Sequence, residues 1–212
     1  PTPSSAASDV YKRQAFRRKE TFATSGPRIK VRFFSGYNFE DSKINDLELI
    51  QKAYANNLSM GSTINIEEGR SPKFLVWAIA DSMGAPLQRI QIIKGWLENG
   101  EHREKVYDVA CSDGLVVNSS TFRCPDNGAK VDIENCSISE SLGASELKTF
   151  WVDPDFLKNQ RAFYYARVLE NPVCRWSTWD SIREGVKPRS DIPTTIQERA
   201  WTSPIWFEPT NS

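Results

Sequence analysis

The sequence predicts a mainly β protein, an antiparallel β-sandwich-like domain with one or two short helices. Three observations carry that prediction. After Met60, short segments rich in β-branched and aromatic residues recur: KFLVWAIAD, LQRIQIIKGWLE, EKVYDVACS, KVDIENCSI, ELKTFWVD, RAFYYARVLE and RAWTSPIWFE. Turn formers divide them, namely MGAP, ENGEH, the long SDGLVVNSSTFRCPDNG loop, SLGAS and DPDF. Strand follows strand without the regular intervening helices of an α/β layer.

The elements follow in order. AFRRKETFA, Ala15 to Ala23, reads as the end of a helix with Phe16 and Phe22 as its large apolar anchors, and TSGP punctuates it at Thr24 to Pro27. RIKVRFF then alternates, with Ile29, Val31 and Phe33 facing one way and Arg28, Lys30 and Arg32 the other. A helix is expected next, capped by Asn45 with Glu48 completing a capping box. Leu47, Ile50, Tyr54 and Leu58 would form its packing stripe, and Asn56-Asn57 would close it. In RAFYYARVLE, Phe163, Tyr165 and Leu169 share a face. CRWSTWD is expected to be a loop. Pro204 cannot donate to a ladder, so the last strand should lie at an edge or carry a bulge.

The 212 residues are 39% hydrophobic and 25% charged, which fits one large soluble domain or a domain plus a fragment. Lys+Arg and Asp+Glu both number 27, so no basic excess is available to replace phosphate counterions, and a nucleic-acid partner is not expected. The longest apolar run, Phe74 to Ala80, falls far short of the ~20 residues that cross a bilayer, and no membrane partner is expected. Nothing in the chain has the layout of an export signal. The four cysteines, Cys111, Cys124, Cys136 and Cys174, lack C-x-x-C spacing. They read either as small buried thiols or as two disulfides of an exported β-rich domain.

Motifs that carry chemistry are scarce. His102 is the single histidine and sits in the charged stretch ENGEHREK, where an exposed, inert side chain is expected. A hydrolytic metal site needs several converging His and carboxylate ligands, so no metal ligand is assigned. The acidic pairs Glu40-Asp41 and Glu67-Glu68 and the Asp153 to Asp155 turn lack calcium-loop spacing. No nucleophile elbow, Walker loop or dinucleotide fingerprint occurs. Seven tryptophans offer either core filling or stacking platforms for a ligand, with Trp176 and Trp179 of CRWSTWD the candidates for stacking.

Several stretches together carry a family resemblance: ATSGPRIKVRFFSGYNF, RIQIIKGW, VYDVACSDG, DPDFLKNQRAFYYARVLENP, CRWSTWD and ERAWTSPIWFEP. From about Ala15 to Pro209 the chain resembles the C-terminal part of the bacterial domain-of-unknown-function family 3604, related to the PHP (polymerase and histidinol phosphatase) metal-dependent hydrolases. The resemblance implies a longer protein with an N-terminal PHP-type α/β barrel, whose H-x-H and further His, Asp and Glu ligands hold divalent metal. No stretch here matches those ligands, so catalytic and metal residues are assigned to none, and no cofactor is expected in this fragment. Residues 15–35 would be a remnant of the barrel's end and residues 36–212 the β-rich C-terminal domain. Thr24, Ser25, Gly26 and Arg28 would lie near the active-site rim, and the missing barrel would be the partner. SSAASDVYKRQ, Ser4 to Gln14, resembles an in-frame translation of a sequencing adapter. Residues 1–14 are therefore expected to be adapter-derived and disordered, or else without contacts to the core, joined to a truncated metagenomic gene fragment.

The resemblance is compatible with a periplasmic or secreted location. Export would pair Cys111 with Cys124 and Cys136 with Cys174, because each joins strand-end or loop positions. Two functions follow. The chain is expected to be the inactive accessory part of a phosphoesterase-like metal-dependent hydrolase, or else an independent binding module for carbohydrate. An uncovered apolar patch around Phe16, Phe22 and the Ile29/Val31/Phe33 strand would favour the first. A concave groove lined by Trp176 and Trp179 would favour the second.

Overall fold

Alternation leaves each strand one face to bury, and two sheets meeting on those faces bury them together. The computed structural model describes residues 5–56, 58–67 and 69–209. Helix α1 (Ser5–Arg17) leads through β1 (Phe22–Thr24) into β2 (Lys30–Gly36), and α2 (Leu49–Asn56) precedes the short β3 (Leu58–Ser59) and β4 (Thr63–Asn65). The long strands come next: β5 (Lys73–Ile79), β6 (Leu87–Glu98), β7 (Glu101–Cys111), β8 (Glu146–Val152) and β9 (Ala162–Glu170). They are followed by β10 (Val173–Cys174), α3 (Trp176–Glu184), β11 (Thr195–Ile196), β12 (Arg199–Thr202) and β13 (Ile205–Glu208).

The larger sheet runs β7-β6-β9, with β12 and β13 end to end along the other side of β9. β1 pairs antiparallel with β12 and β4 parallel with β13. The smaller antiparallel sheet has the order β3-β2-β5-β8. β1 and β2 thus bind residues 15–35 into both sheets. The sheets meet over Phe33, Phe74, Val76 and Ala78 from one side and Ile90, Ile92, Tyr164, Ala166, Val168 and Phe207 from the other. Phe74 is central, its ring centroid 4.7 Å from that of Tyr164 and 5.7 Å from that of Phe207. Ile29, Val31 and Phe33 are at most 3% exposed, each such side chain contributing about 1.5–3 kcal/mol. Behind the smaller sheet, Phe34 and Leu75 pack on Leu49 and Ala53 of α2.

Four local expectations are corrected. The second helix starts at Leu49, because Asp46, not Asn45, takes the Glu48 amide on its side chain and the Leu49 amide on its carbonyl. That shift makes Leu49 and Ala53 the buried pair and leaves Leu47, Tyr54 and Leu58 exposed. KVDIENCSI is not a strand but a turn with one bridge, Val131 to Ile138, since Asp132 and Asn135 accept backbone amides two residues on. CRWSTWD is not a loop but the start of α3, closed by Gly185 in the left-handed conformation at φ 65°. The strand containing Pro204 is interior and simply interrupted there: Gly61 donates to the Pro204 carbonyl, and Ala166 donates to the Thr202 hydroxyl in place of a ladder carbonyl. Over residues 1–14, expected to be disordered or without contacts to the core, a helix starts at Ser5 and leaves Val10, Tyr11 and Phe16 exposed; residues 1–4 lie outside the described residues.

One buried ion pair lies between the sheets. Lys94 Nζ donates to Asp153 Oδ2 at 2.7 Å and to the Asp155 carbonyl at 2.7 Å, with both pair side chains at most 2% exposed. Tyr164 donates to the same Asp153 oxygen at 2.7 Å, and Tyr107 donates to Asp155 Oδ2 at 2.6 Å. Burial, reinforced by these carboxylates, raises both phenols well above their ordinary range. Disulfides join Cys111 to Cys124 and Cys136 to Cys174, so the long loop after β7 is stapled at both ends.

Lys94→Ala is expected to cost about 3–5 kcal/mol, because Asp153 is left charged and buried. Lys105→Ala, at the exposed end of the same cluster, should stay within about 1 kcal/mol. Urea unfolding of the two variants measures the difference. A thiol titration of the denatured, unreduced protein should find no reactive group.

Candidate functional site

Two turns, one strand end and one helix converge where β9 finishes. The TSGP turn leads into β2, the MGAP turn leads into β6, β9 ends at Glu170, and α3 stands across from them. Between them lies a groove of about 450 Å³ whose lining includes Ser25, Gly26, Asp81, Gly84, Glu170, Trp176, Trp179, Arg183 and Glu198. Two sets of candidates assigned to different functions, the rim turn and the stacking rings, therefore share one surface.

The turns are held by side chains acting on backbone. Asp81 accepts the amides of Arg28 at 2.7 Å and Met83 at 3.0 Å, which ties TSGP to MGAP. Those amides hold its carboxyl below the usual carboxylate range. Ser25 accepts the Arg199 amide on its hydroxyl at 2.9 Å and donates that hydroxyl to Glu198. Thr24 lies in β1 opposite Ala200, outside the groove, and Arg28 is exposed and contributes only its amide.

Helix α3 turns Thr178 and Ser181 inward, and Thr178 donates to the Thr194 carbonyl at 2.7 Å. Helical spacing then puts Trp176, Trp179 and Arg183 together on the open side. Trp176 is 74% exposed and Trp179 37%, and the Arg183 guanidinium lies 6.0 Å from both ring centroids.

Glu170 is the chemically unusual member. It is 1% exposed, and its Oε1 has no hydrogen-bond partner among the described residues. Burial pushes its carboxyl up to about 7 despite the Ala85 amide, and the charges of Asp81 and Glu198 push the same way. Gly84 packs closely on that oxygen: a Cβ there would lie 2.9 Å from it.

These residues do not fit a hydrolytic metal centre. Among the described residues no group of three or more His, Cys, Asp or Glu side chains could hold a metal ion. Asp81 spends both oxygens on amides, Glu198 accepts the Ser25 hydroxyl, every cysteine is in a disulfide, and His102 is exposed on β7. The arrangement presents an acidic wall, two ring faces and a rigid rim.

A second groove, apolar and about 530 Å³, lies on the outer side of β2 and β5 between Phe22, Ile50, Trp77 and Ile79. Phe22 and Phe16 are exposed, whereas Ile29, Val31 and Phe33 face the core.

A family model described as "Protein of unknown function (DUF3604)" matches residues 8–209. The chain belongs to the DUF3604 family. The match begins within the stretch Ser4 to Gln14. No curated protein and no solved structure matches the chain.

Sequence reading missed Asp81, Gly84, Glu170, Arg183 and Glu198. For Glu170 a signal was present. In RAFYYARVLE the buried phase is Ala162, Tyr164, Ala166 and Val168, and Glu170 continues it. An acid on the inward phase of a strand must be paired, protonated or part of a site.

The folded protein holds the Glu170 proton up to about pH 7, whereas an ordinary glutamate releases it near 4.5. The stabilisation from this extra proton affinity is complete below about 4.5 and lost as pH rises through about 7. Stability should fall across that window by on the order of 3 kcal/mol. Glu170→Gln should flatten the fall, as measured by urea unfolding at a series of pH values.

Proposed function

We propose that this chain is the β-rich C-terminal part of a PHP-type, metal-dependent hydrolase of phosphoesterase-like activity, and that its groove forms one wall of the active-site mouth. The metal and the water-activating chemistry would belong to an N-terminal barrel. The observation that carries the reading is the convergence of the TSGP turn with α3 on one groove. By resemblance that turn lies at the rim of the barrel's site, and here it is rigidly braced through Asp81 and Ser25. The family match over residues 8–209 is consistent with it. In this role the chain's residues orient and enclose a substrate and transfer no proton to it.

A second reading is favoured by one observation. Trp176 stands 74% exposed beside acceptor oxygens, the pairing of ring face and carboxylate that suits a sugar's apolar face and hydroxyls. In that case the chain is an independent carbohydrate-binding module, and the groove needs no barrel.

The purified chain, incubated with manganese, zinc or iron and an aryl phosphoester, is expected to show no chelator-sensitive turnover. A longer family member carrying the barrel should hydrolyse the ester, with kcat/KM lowered about tenfold or more when the residue matching Trp176 becomes Ala. Turnover by the isolated chain would overturn the first reading. Saturable binding of an oligosaccharide to it, lost in Trp176→Ala, would establish the second.

A further inference from the structure

The groove's charge pattern points to a ligand class that neither reading names. Three acids line it, Asp81, Glu170 and Glu198, against one basic residue, Arg183. Two of the acids are already occupied, Asp81 by the amides of Arg28 and Met83 and Glu198 by the Ser25 hydroxyl. Glu170 differs from both: it is 1% exposed and its Oε1 has no partner among the described residues. A buried acceptor left unpaired is costly, and here the neighbouring acids add repulsion. A neutral ligand would leave the repulsion as it is, an anion would worsen it, and a cation relieves it.

The opposite wall fits the same ligand. Arg183 sets its guanidinium 6.0 Å from the centroids of both Trp176 and Trp179, so these rings already carry a cation. That guanidinium is only loosely held, its ion pair with Asp180 being 3.6 Å long and more than 60% exposed on both sides. Between the walls, Gly84 packs closely on the covered Glu170 Oε1, where an added methyl group would stand 2.9 Å from it.

We propose that the groove binds an organic cation, an ammonium or guanidinium group drawn to the acidic wall backed by Glu170, with its carbon skeleton lying on Trp176 and Trp179. Arg183 is then an internal stand-in that the ligand displaces from the rings. The raised proton affinity of Glu170 accords with this, since a bound cation would favour its ionised form. The inference concerns the ligand alone and stands apart from hydrolysis, so binding by this chain and turnover by a longer protein can fail separately.

The test is titration calorimetry on the whole chain at about pH 8, where Glu170 is largely ionised. The probes are n-butylammonium and butylguanidinium, with n-butanol, methyl glucoside and calcium chloride as neutral, sugar and metal comparisons. Saturable binding of an organic cation is expected, weakened about tenfold or more by Glu170→Gln, Gly84→Ala and Trp176→Ala. Arg183→Ala should tighten it. Trp176 is exposed, so its variant stays informative if substitution at Gly84 harms folding. The proposal is overturned if neither cation binds saturably, or if methyl glucoside or calcium binds as tightly. It is equally overturned if Trp176→Ala, shown folded by circular dichroism, binds as the parent chain does.

Discussion

The structure depends on a lysine ammonium placed between two sheets. Lys94 lies on β6 in phase with Ile90 and Ile92, where the pattern calls for another apolar side chain. Isolated there, the charge would cost several kcal/mol, so its position is tolerable only if a carboxylate is carried to it. The DPDF turn after β8 does this: Asp153 meets the ammonium directly, and the Asp155 carbonyl accepts a second N–H hydrogen bond from it. Tyr164 on β9 and Tyr107 on β7 complete the set. The network thus links three neighbouring strands of one sheet to the turn leaving the other. Apolar packing alone would let the sheets slide; these directional contacts specify one arrangement.

The same sheet carries a second inward ionisable group with the opposite outcome. Leu87 pairs with Glu170 at one end of the β6–β9 ladder, and Lys94 pairs with Tyr164 towards the other. At the Lys94 end the ammonium and both phenols find acceptors, although the neighbouring Trp96 Nε1 finds none among the described residues. At the Glu170 end one carboxyl oxygen finds none. Two groups of like burial, on adjacent strands and facing the same layer, therefore differ in whether the fold completes them. The first end acts as a clamp, and the second borders the groove. That contrast, more than the size of the groove, marks it as a place for a ligand.

Much of this was legible in residue patterns, and the exceptions share a cause. Alternation in RIKVRFF placed Ile29, Val31 and Phe33 on a buried face, and turn formers separated the long strands, because strand period and turn chemistry are local properties. The errors arose where a side chain competes for backbone hydrogen bonds. Asp46 displaced the expected cap by one residue, and Asp132 and Asn135 turned KVDIENCSI away from a ladder. Trp176 and Trp179 were singled out as accessible rings, but their helix was missed, since Trp, Ser and Thr are weak helix formers and Gly185 decides where it stops. The acids of the groove come from segments far apart in sequence, so no spacing announces them. Only the inward phase of Glu170 could have done so.

The groove's geometry also rests on covalent structure just behind it. Cys174 lines the groove and stands two residues before Trp176, at the end of β10. Its bond to Cys136 fastens the entry of α3 to the long loop after β7, and the Cys111–Cys124 bond anchors that loop back to β7. Two staples therefore connect the sheet bearing Glu170 to the helix bearing the rings, while β10 itself pairs with the rest of the molecule only through the short β11. So little hydrogen bonding would hold a helix end weakly, and the distance between ring wall and acid wall would vary. The disulfides supply the rigidity that the two-residue strands lack, so the groove's two walls can act as one site.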